Sequence, residues 1–111
     1  MENMRKSERV EAQHFISYDV LDEKDQIVYS GMALSLDLSR KGVQLEDRVE
    51  FTVQTKVRLH LALPDEIVDL DGIIRHIERI GEDKFHIGIE FLEIDEDLLN
   101  KIAKTYPDIL A

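Results

Sequence analysis

Over most of this chain apolar positions alternate with polar ones. From Gln13 to Leu21, Ile16, Tyr18 and Val20 fall on one side of an extended segment, the period of two expected of a half-buried strand. The polar turn Asp22-Glu23-Lys24-Asp25 follows, and Ile27 to Leu36 resumes strand character, with Gly31 expected to mark a bulge. A turn at Asp37 to Gly42 leads into a short strand at Val43 to Leu45, and residues 46–55 read as a loop with some extended structure. Val57, Leu59, Leu61 and Leu63 then alternate cleanly in a strand from Lys56 to Leu63, which Pro64-Asp65 ends. Ile67 to Ile80 is a long extended run interrupted by Gly72. Gly81-Glu82-Asp83 is a hairpin turn. Phe85, Ile87, Ile89 and Phe91 share one face of the last strand, Lys84 to Leu92.

The period then changes. Asp95 is placed to cap a helix, and Glu96 and Asp97 suit the positive end of its dipole. Leu98, Leu99, Ile102 and Tyr106 recur at helical spacing before Pro107. The expectation is a helix over residues 95–106 whose apolar stripe packs on the strands. Several antiparallel strands and one terminal helix predict a mainly β protein. A small closed or nearly closed barrel suits it, because closure removes sheet edges. Residues 1–11 are polar and charged without any period, and are expected to form a mobile arm leading into a barrel over 12–92. A chain of 111 residues is expected to be a single domain with a core that needs no staples.

Composition removes several function classes. There is no Cys, hence no disulfide framework and no thiolate metal site. No run approaches the roughly 18 apolar residues of a membrane span. Met1-Glu2-Asn3-Met4-Arg5 lacks the apolar core of a signal peptide, so the expected location is cytoplasmic. A net charge of −10 argues against non-specific binding to nucleic-acid polymers or anionic membranes. His14, His60, His76 and His86 are scattered without metal-ligand spacing, so no metal is expected. There is no Gly-x-Ser-x-Gly elbow, P-loop or dinucleotide fingerprint, and no carboxylate pair stands out, so no enzyme is expected.

Against the acidic background, Arg5, Lys6 and Arg9 form one basic cluster, and Arg40 and Lys41 another. Both lie in short motifs. Arg5-Lys6-Ser7-Glu8-Arg9 holds two arginines four residues apart, and Asp37-Leu38-Ser39-Arg40-Lys41-Gly42 sets an acid, a hydroxyl and a glycine at fixed offsets. An arginine fork matches a phosphate, or the O6/N7 edge of guanine, bidentately; a lysine does not. A carboxylate at Asp37 can accept from guanine N1–H and N2–H2, and Ser39 can donate or accept. Gly42 is expected to supply a backbone with φ above zero. Taken singly, the motifs have a plainer reading, as a solvated arm and an ordinary hairpin connection.

Together and in this order, the two motifs resemble the PilZ domain family, whose members bind the bacterial second messenger cyclic di-GMP. Leu70-Asp71-Gly72-Ile73-Ile74-Arg75 and Ile87-Gly88-Ile89-Glu90-Phe91 resemble the family's two later strand signatures, so the likeness covers nearly the whole chain. It implies a six-stranded antiparallel β-barrel with a C-terminal α-helix. It further implies that Arg5 and Arg9 clamp the nucleotide from the arm, while Asp37, Ser39 and Gly42 line the barrel side. Arg75 would lie against a guanine, where an arginine plane can stack; the other reading of Arg75 is a surface ion pair with Glu78 or Glu90. Family members with arginine just before the first motif arginine tend to take up a stacked pair of ligands. Met4 stands there in this chain and points to one ligand. The function implied is a cyclic di-GMP receptor that signals to a protein partner through ordering of its arm. The alternative is a nucleotide-independent PilZ-fold adaptor in pilus or flagellar machinery, against which the intact motifs argue.

Overall fold

The computed structural model describes residues 14–110. Six strands form in turn: β1 His14–Leu21, β2 Ile27–Leu38, β3 Gly42–Asp47, β4 Lys56–Ala62, β5 Ile67–Arg79 and β6 Phe85–Phe91. Each pairs antiparallel with its neighbours, and the order β1-β2-β3-β6-β5-β4 closes on itself through β1 and β4. The alternating residues that define the strands point inward. Ile16, Tyr18 and Val20, then Val57, Leu59 and Leu61, then Phe85, Ile87, Ile89 and Phe91 are buried in one core.

Helix α1 spans Glu96–Ala103. The Asp95 carboxylate accepts a hydrogen bond from the Leu98 amide at 2.8 Å, satisfying one of the donors a helix start leaves open. The helix is shorter than the 95–106 expected from periodicity. Pro107 does not simply stop the chain's regular structure. It opens a 3-10 turn, Pro107–Leu110, so that Ile109 joins Leu99 and Ile102 in the core. Tyr106 lies between the two helical pieces. Its ring stacks on His14 at 4.7 Å and its hydroxyl donates to the Ala62 carbonyl, tying the C-terminal segment to β1 and β4. No helix among the described residues is long and apolar enough to cross a membrane.

Two glycines behave differently from the sequence expectation. Gly31 makes no bulge; it pairs in register opposite Tyr18. A Cβ there would lie 2.7 Å from the Tyr18 hydroxyl, so the glycine makes room for a ring, and that hydroxyl donates to Asp47 at 2.5 Å. Gly72 does not interrupt β5, which runs on to Arg79. A Cβ at Gly72 would sit 2.6 Å from the Ile89 Cγ2 methyl, so this glycine lets β5 and β6 pack closely.

The register shifts fall elsewhere: between Val20 and Leu21 in the β1–β2 pair, between Ser35 and Asp37 in β2 against β3, and between Ile74 and His76 in β5 against β6. An extra residue in one strand breaks the in-out alternation. In β2, Ser35 is buried and Leu38 is the next buried residue, which leaves Asp37 exposed. In β5, Ile74 is buried, Arg75 and His76 are both exposed, and Ile77 turns back towards the core. The last two of these bulges face the same patch of outer wall.

Candidate ligand-binding groove

A groove of about 550 Å³ opens on that patch, across β2, β3, β6 and β5. Strand register explains it. Asp37 pairs with Gln44, Gln44 with Gly88, and Gly88 with His76, so these four form one row across four strands. Gly88 has no side chain and leaves a dip in the middle of the row. The bulge in β2 turns Asp37 into the groove from one side, and the bulge in β5 brings Arg75 and His76 from the other. Ser39 and Gly42 close the end where β2 turns into β3. Asp37, Ser39, Gly42 and Arg75, singled out in the sequence, thus border one groove. Arg5 and Arg9 lie outside the described residues.

The turn itself is tight. β2 continues through Asp37 and Leu38, so only Ser39, Arg40 and Lys41 connect it to β3. The Ser39 amide donates to the Gly42 carbonyl at 2.9 Å, and the Ser39 hydroxyl accepts from the Lys41 amide at 3.3 Å. Ser39 therefore helps to build the turn, as a hydroxyl at such a position does. The Lys41 carbonyl accepts from the Phe91 amide at 2.8 Å and fastens the turn to β6.

Gly42 corrects the expectation of a left-handed backbone: none of the described glycines has a positive φ. A Cβ at Gly42 would fall 2.0 Å from the Ile89 carbonyl oxygen. The residue must be glycine because β3 and β6 approach there with no room for a methyl group. Gly42 and Gly72 press on Ile89 and Glu90 from the two sides of β6.

Arg75 is held in place. Its Nε donates to Glu90 Oε1 at 2.7 Å and its Nη1 to Gln54 Oε1 at 2.6 Å. Of the two ion-pair partners foreseen, Glu90 is the one taken. Gln54 is set in place by an unusual backbone, with φ of 73°, and by its amide, which donates to the Ile74 carbonyl at 2.7 Å. Two contacts, from Nε and from Nη1, fix the guanidinium plane, and the side chain stays 47% exposed. The Asp37 carboxylate makes no hydrogen bond or ion pair among the described residues, and Lys41 adds positive charge at the groove's rim.

Sequence reasoning did not single out Gln44 or Gln54, nor Gly88 and His76 as walls of the groove; Glu90 was foreseen only as a partner of Arg75. Gln44 was legible in principle, as the outward position between buried Val43 and Leu45. His76 was not, because strict alternation puts Arg75 and His76 on opposite faces, and the bulge alone brings them together.

The family model for the PilZ domain matches residues 3–105. The chain belongs to the PilZ domain family. Among solved structures it is similar to MrkH of K. pneumonia in its apo state, with a TM-score of 0.61 and 16% identity over 86% of this chain and 46% of that one. The chain thus spans less than half of MrkH. It is also similar to the PilZ domain of CeSA from a cellulose-synthesizing bacterium, with a TM-score of 0.54 and 18% identity over 85% of this chain and 92% of that one. At such identities the likeness is one of fold: a closed six-stranded antiparallel barrel followed by a helix is PilZ-like. No curated protein matches the chain. PilZ domains are binding modules rather than enzymes.

Proposed function

We propose that this PilZ domain is a bacterial, cytoplasmic cyclic di-GMP receptor, and that it signals to a protein partner through ordering of its N-terminal segment on the nucleotide. The observation that carries the reading is the convergence of Asp37, Ser39, Gly42 and Arg75 on one groove. Its volume suits a small molecule, for which sites run to about 300–1,000 Å³. The chain's path supplies the rest. His14 pairs with Ser35, two residues before Asp37, so β1 begins beside the groove. Arg9 is five residues before His14, and five residues span at most about 17 Å, enough to bring a guanidinium over the groove.

Each group has a part in this reading. Asp37 accepts from the guanine N1–H and N2–H2 groups. Ser39 offers its hydroxyl. Gly42 keeps the turn flat against β6 at the end of the groove. Arg75, secured by Glu90 and Gln54, offers a face on which a base stacks. Arg5 and Arg9 supply forks for the phosphates and the second base edge. Met4 favours a single ligand. Ligand contacts then fix a segment that has little apolar content of its own to offset its backbone entropy, and the partner meets a changed surface.

Isothermal titration tests the reading. Cyclic di-GMP binds more tightly than GMP or GTP, because only the cyclic dimer spans groove and N-terminal segment together, and its binding raises the melting temperature. Absence of both heat and a melting shift at excess nucleotide sinks the receptor reading and leaves the adaptor. Amide hydrogen exchange tests the signal. Protection is gained chiefly in residues 4–10 and 37–42; a barrel-wide change with an unaltered N-terminal segment refutes ordering as the switch, even where binding holds.

A further inference from the structure

Strand β2 is covered unequally on its two sides. On one side it pairs with β1 from Ile27 to Ser35. On the other, β3 pairs with it only from Leu34 to Leu38. Among the described residues, the backbone of 27–33 therefore presents a bare edge towards the side that β3 leaves. The barrel has a second such edge. β4 pairs with β5 only as far as Ile73, the loop bonds to Ile74, and residues 75–79 have no strand beyond them on that side.

The two edges differ in chemistry. The β5 edge carries Arg75, His76, Glu78 and Arg79, the charged guard that keeps a bare edge from pairing with another chain. The β2 edge, Ile27-Val28-Tyr29-Ser30-Gly31-Met32-Ala33, has no charge and no proline, in a chain that is 34% charged. Its outward side chains are not covered either: Ile27, Val28 and Met32 are 58%, 61% and 62% exposed, while Tyr29, 44% exposed, leans on Tyr18 and Phe51. A cleft of about 340 Å³ lies where β3 parts from β2, between Met32–Leu34 and Glu46–Arg48, and leaves room beside the edge.

We propose that residues 27–33 of β2 form a dimerisation edge, on which the same strand of a second copy pairs antiparallel. Charge selects the second copy's approach. With a net charge of −10 on each chain, two copies repel over most of their surface, and this uncharged run is where they meet without opposition. Geometry selects the pairing. An antiparallel pair formed by one segment with itself is two-fold symmetric, so each copy's free amides and carbonyls satisfy the other's. The opposite side of β2 is already held by β1, and the β5 edge is guarded, so association stops at two.

Sedimentation equilibrium of the full chain without nucleotide, across a wide concentration range, tests this. The wild type self-associates to a dimer. A Val28→Lys, Met32→Lys double variant, altering two exposed positions, dissociates about tenfold more readily or worse, because it sets like charges against each other across the pair. Its circular dichroism and melting temperature stay those of the monomer. Hydrogen exchange on the wild type, diluted against concentrated, shows protection gained at residues 27–33, and decides the matter should the variant fail to fold. A monomeric wild type, a dimer untouched by the folded variant, or a dimer without protection at 27–33 overturns the proposal. No nucleotide is involved, so its failure and failure of the receptor reading are separate results.

Discussion

Replacing Gly42 by alanine puts one methyl group where the backbone of β6 already lies. The added Cβ falls 2.0 Å from the Ile89 carbonyl oxygen and 3.0 Å from its carbonyl carbon. A comfortable C···O contact is about 3.3–3.6 Å, so the two strands must part by roughly an ångström or more. No rotamer change relieves this, because the obstacle is backbone. Parting strains the ladder that starts at Gly42–Glu90 and continues through Val43–Ile89, and with it the Phe91 amide bond to Lys41. Overpacking alone costs about 1–3 kcal/mol, and each backbone hydrogen bond lost adds about 1 kcal/mol. About 3 kcal/mol in all lowers the melting temperature by on the order of 10 °C in a chain of this size. Gly81→Ala is the control. Its Cβ meets nothing nearer than the Lys84 Cβ at 3.6 Å, and its φ is not positive. It should be neutral, or stabilising by about 0.4–1 kcal/mol through the unfolded chain. Thermal unfolding of the two variants beside wild type checks the contrast. A Gly42→Ala protein that melts together with Gly81→Ala refutes close approach of β3 and β6 as the reason for glycine at 42.

Three further outcomes are expected. Arg9→Ala weakens cyclic di-GMP binding more than tenfold, since a charge-assisted contact contributes about 1.5–3 kcal/mol, and Arg9→Lys does not restore it; equal titration curves for Arg9→Lys and wild type would mean that charge alone matters. Asp37→Ala loses more affinity for guanine than for adenine cyclic dinucleotides, and an unchanged guanine preference removes Asp37 from the site. The third concerns His60, whose Nδ1 faces Asp69 at 2.7 Å and Nε2 faces Asp19 at 2.8 Å. Both ring nitrogens donate only when the ring is protonated. Partial burial disfavours the charged ring, but the bonds to Asp69 and Asp19 outweigh it and raise the pKa above the ordinary 6.5. The stabilisation is therefore complete below pH 6.5 and is lost as pH rises through the folded value. Melting curves of wild type and His60→Gln should converge as pH increases from mildly acid to mildly alkaline; a gap that stays constant contradicts the clasp.

The strands were legible because the barrel wall is one layer thick: inward positions are apolar almost throughout, buried Ser35 being an exception, and outward ones are free to be polar. Val57, Leu59 and Leu61 announce β4 for that reason alone. The end of α1 was less legible, since Tyr106 keeps helical spacing with Ile102 although the chain has left the helix; its hydroxyl answers to Ala62 across the fold. The groove divides in the same way. Asp37, Ser39 and Gly42 sit close in sequence and could be read as a unit. The partnership of Arg75 with Gln54 depends on a loop, and that of Arg75 with His76 on a bulge, neither of which alternation encodes. Glycine was the residue most easily misread. Gly31, Gly42 and Gly72 carry backbone freedom in principle, but here each is dictated by what lies against it: the Tyr18 ring, the Ile89 carbonyl and the Ile89 side chain.

Titrating isotopically labelled protein with cyclic di-GMP, and following its backbone amides by NMR, reports binding and its place on the barrel together. A receptor of this kind gives saturable shifts confined to the groove: residues 37–44, Arg75 and His76, and 88–90, together with new contacts in the segment that carries Arg5 and Arg9. Amides of β4 at the far side of the barrel, such as Leu59 and Leu61, should stay where they are. Saturable shifts centred on another face, with residues 37–44 and 75–76 unmoved, would contradict binding in the groove.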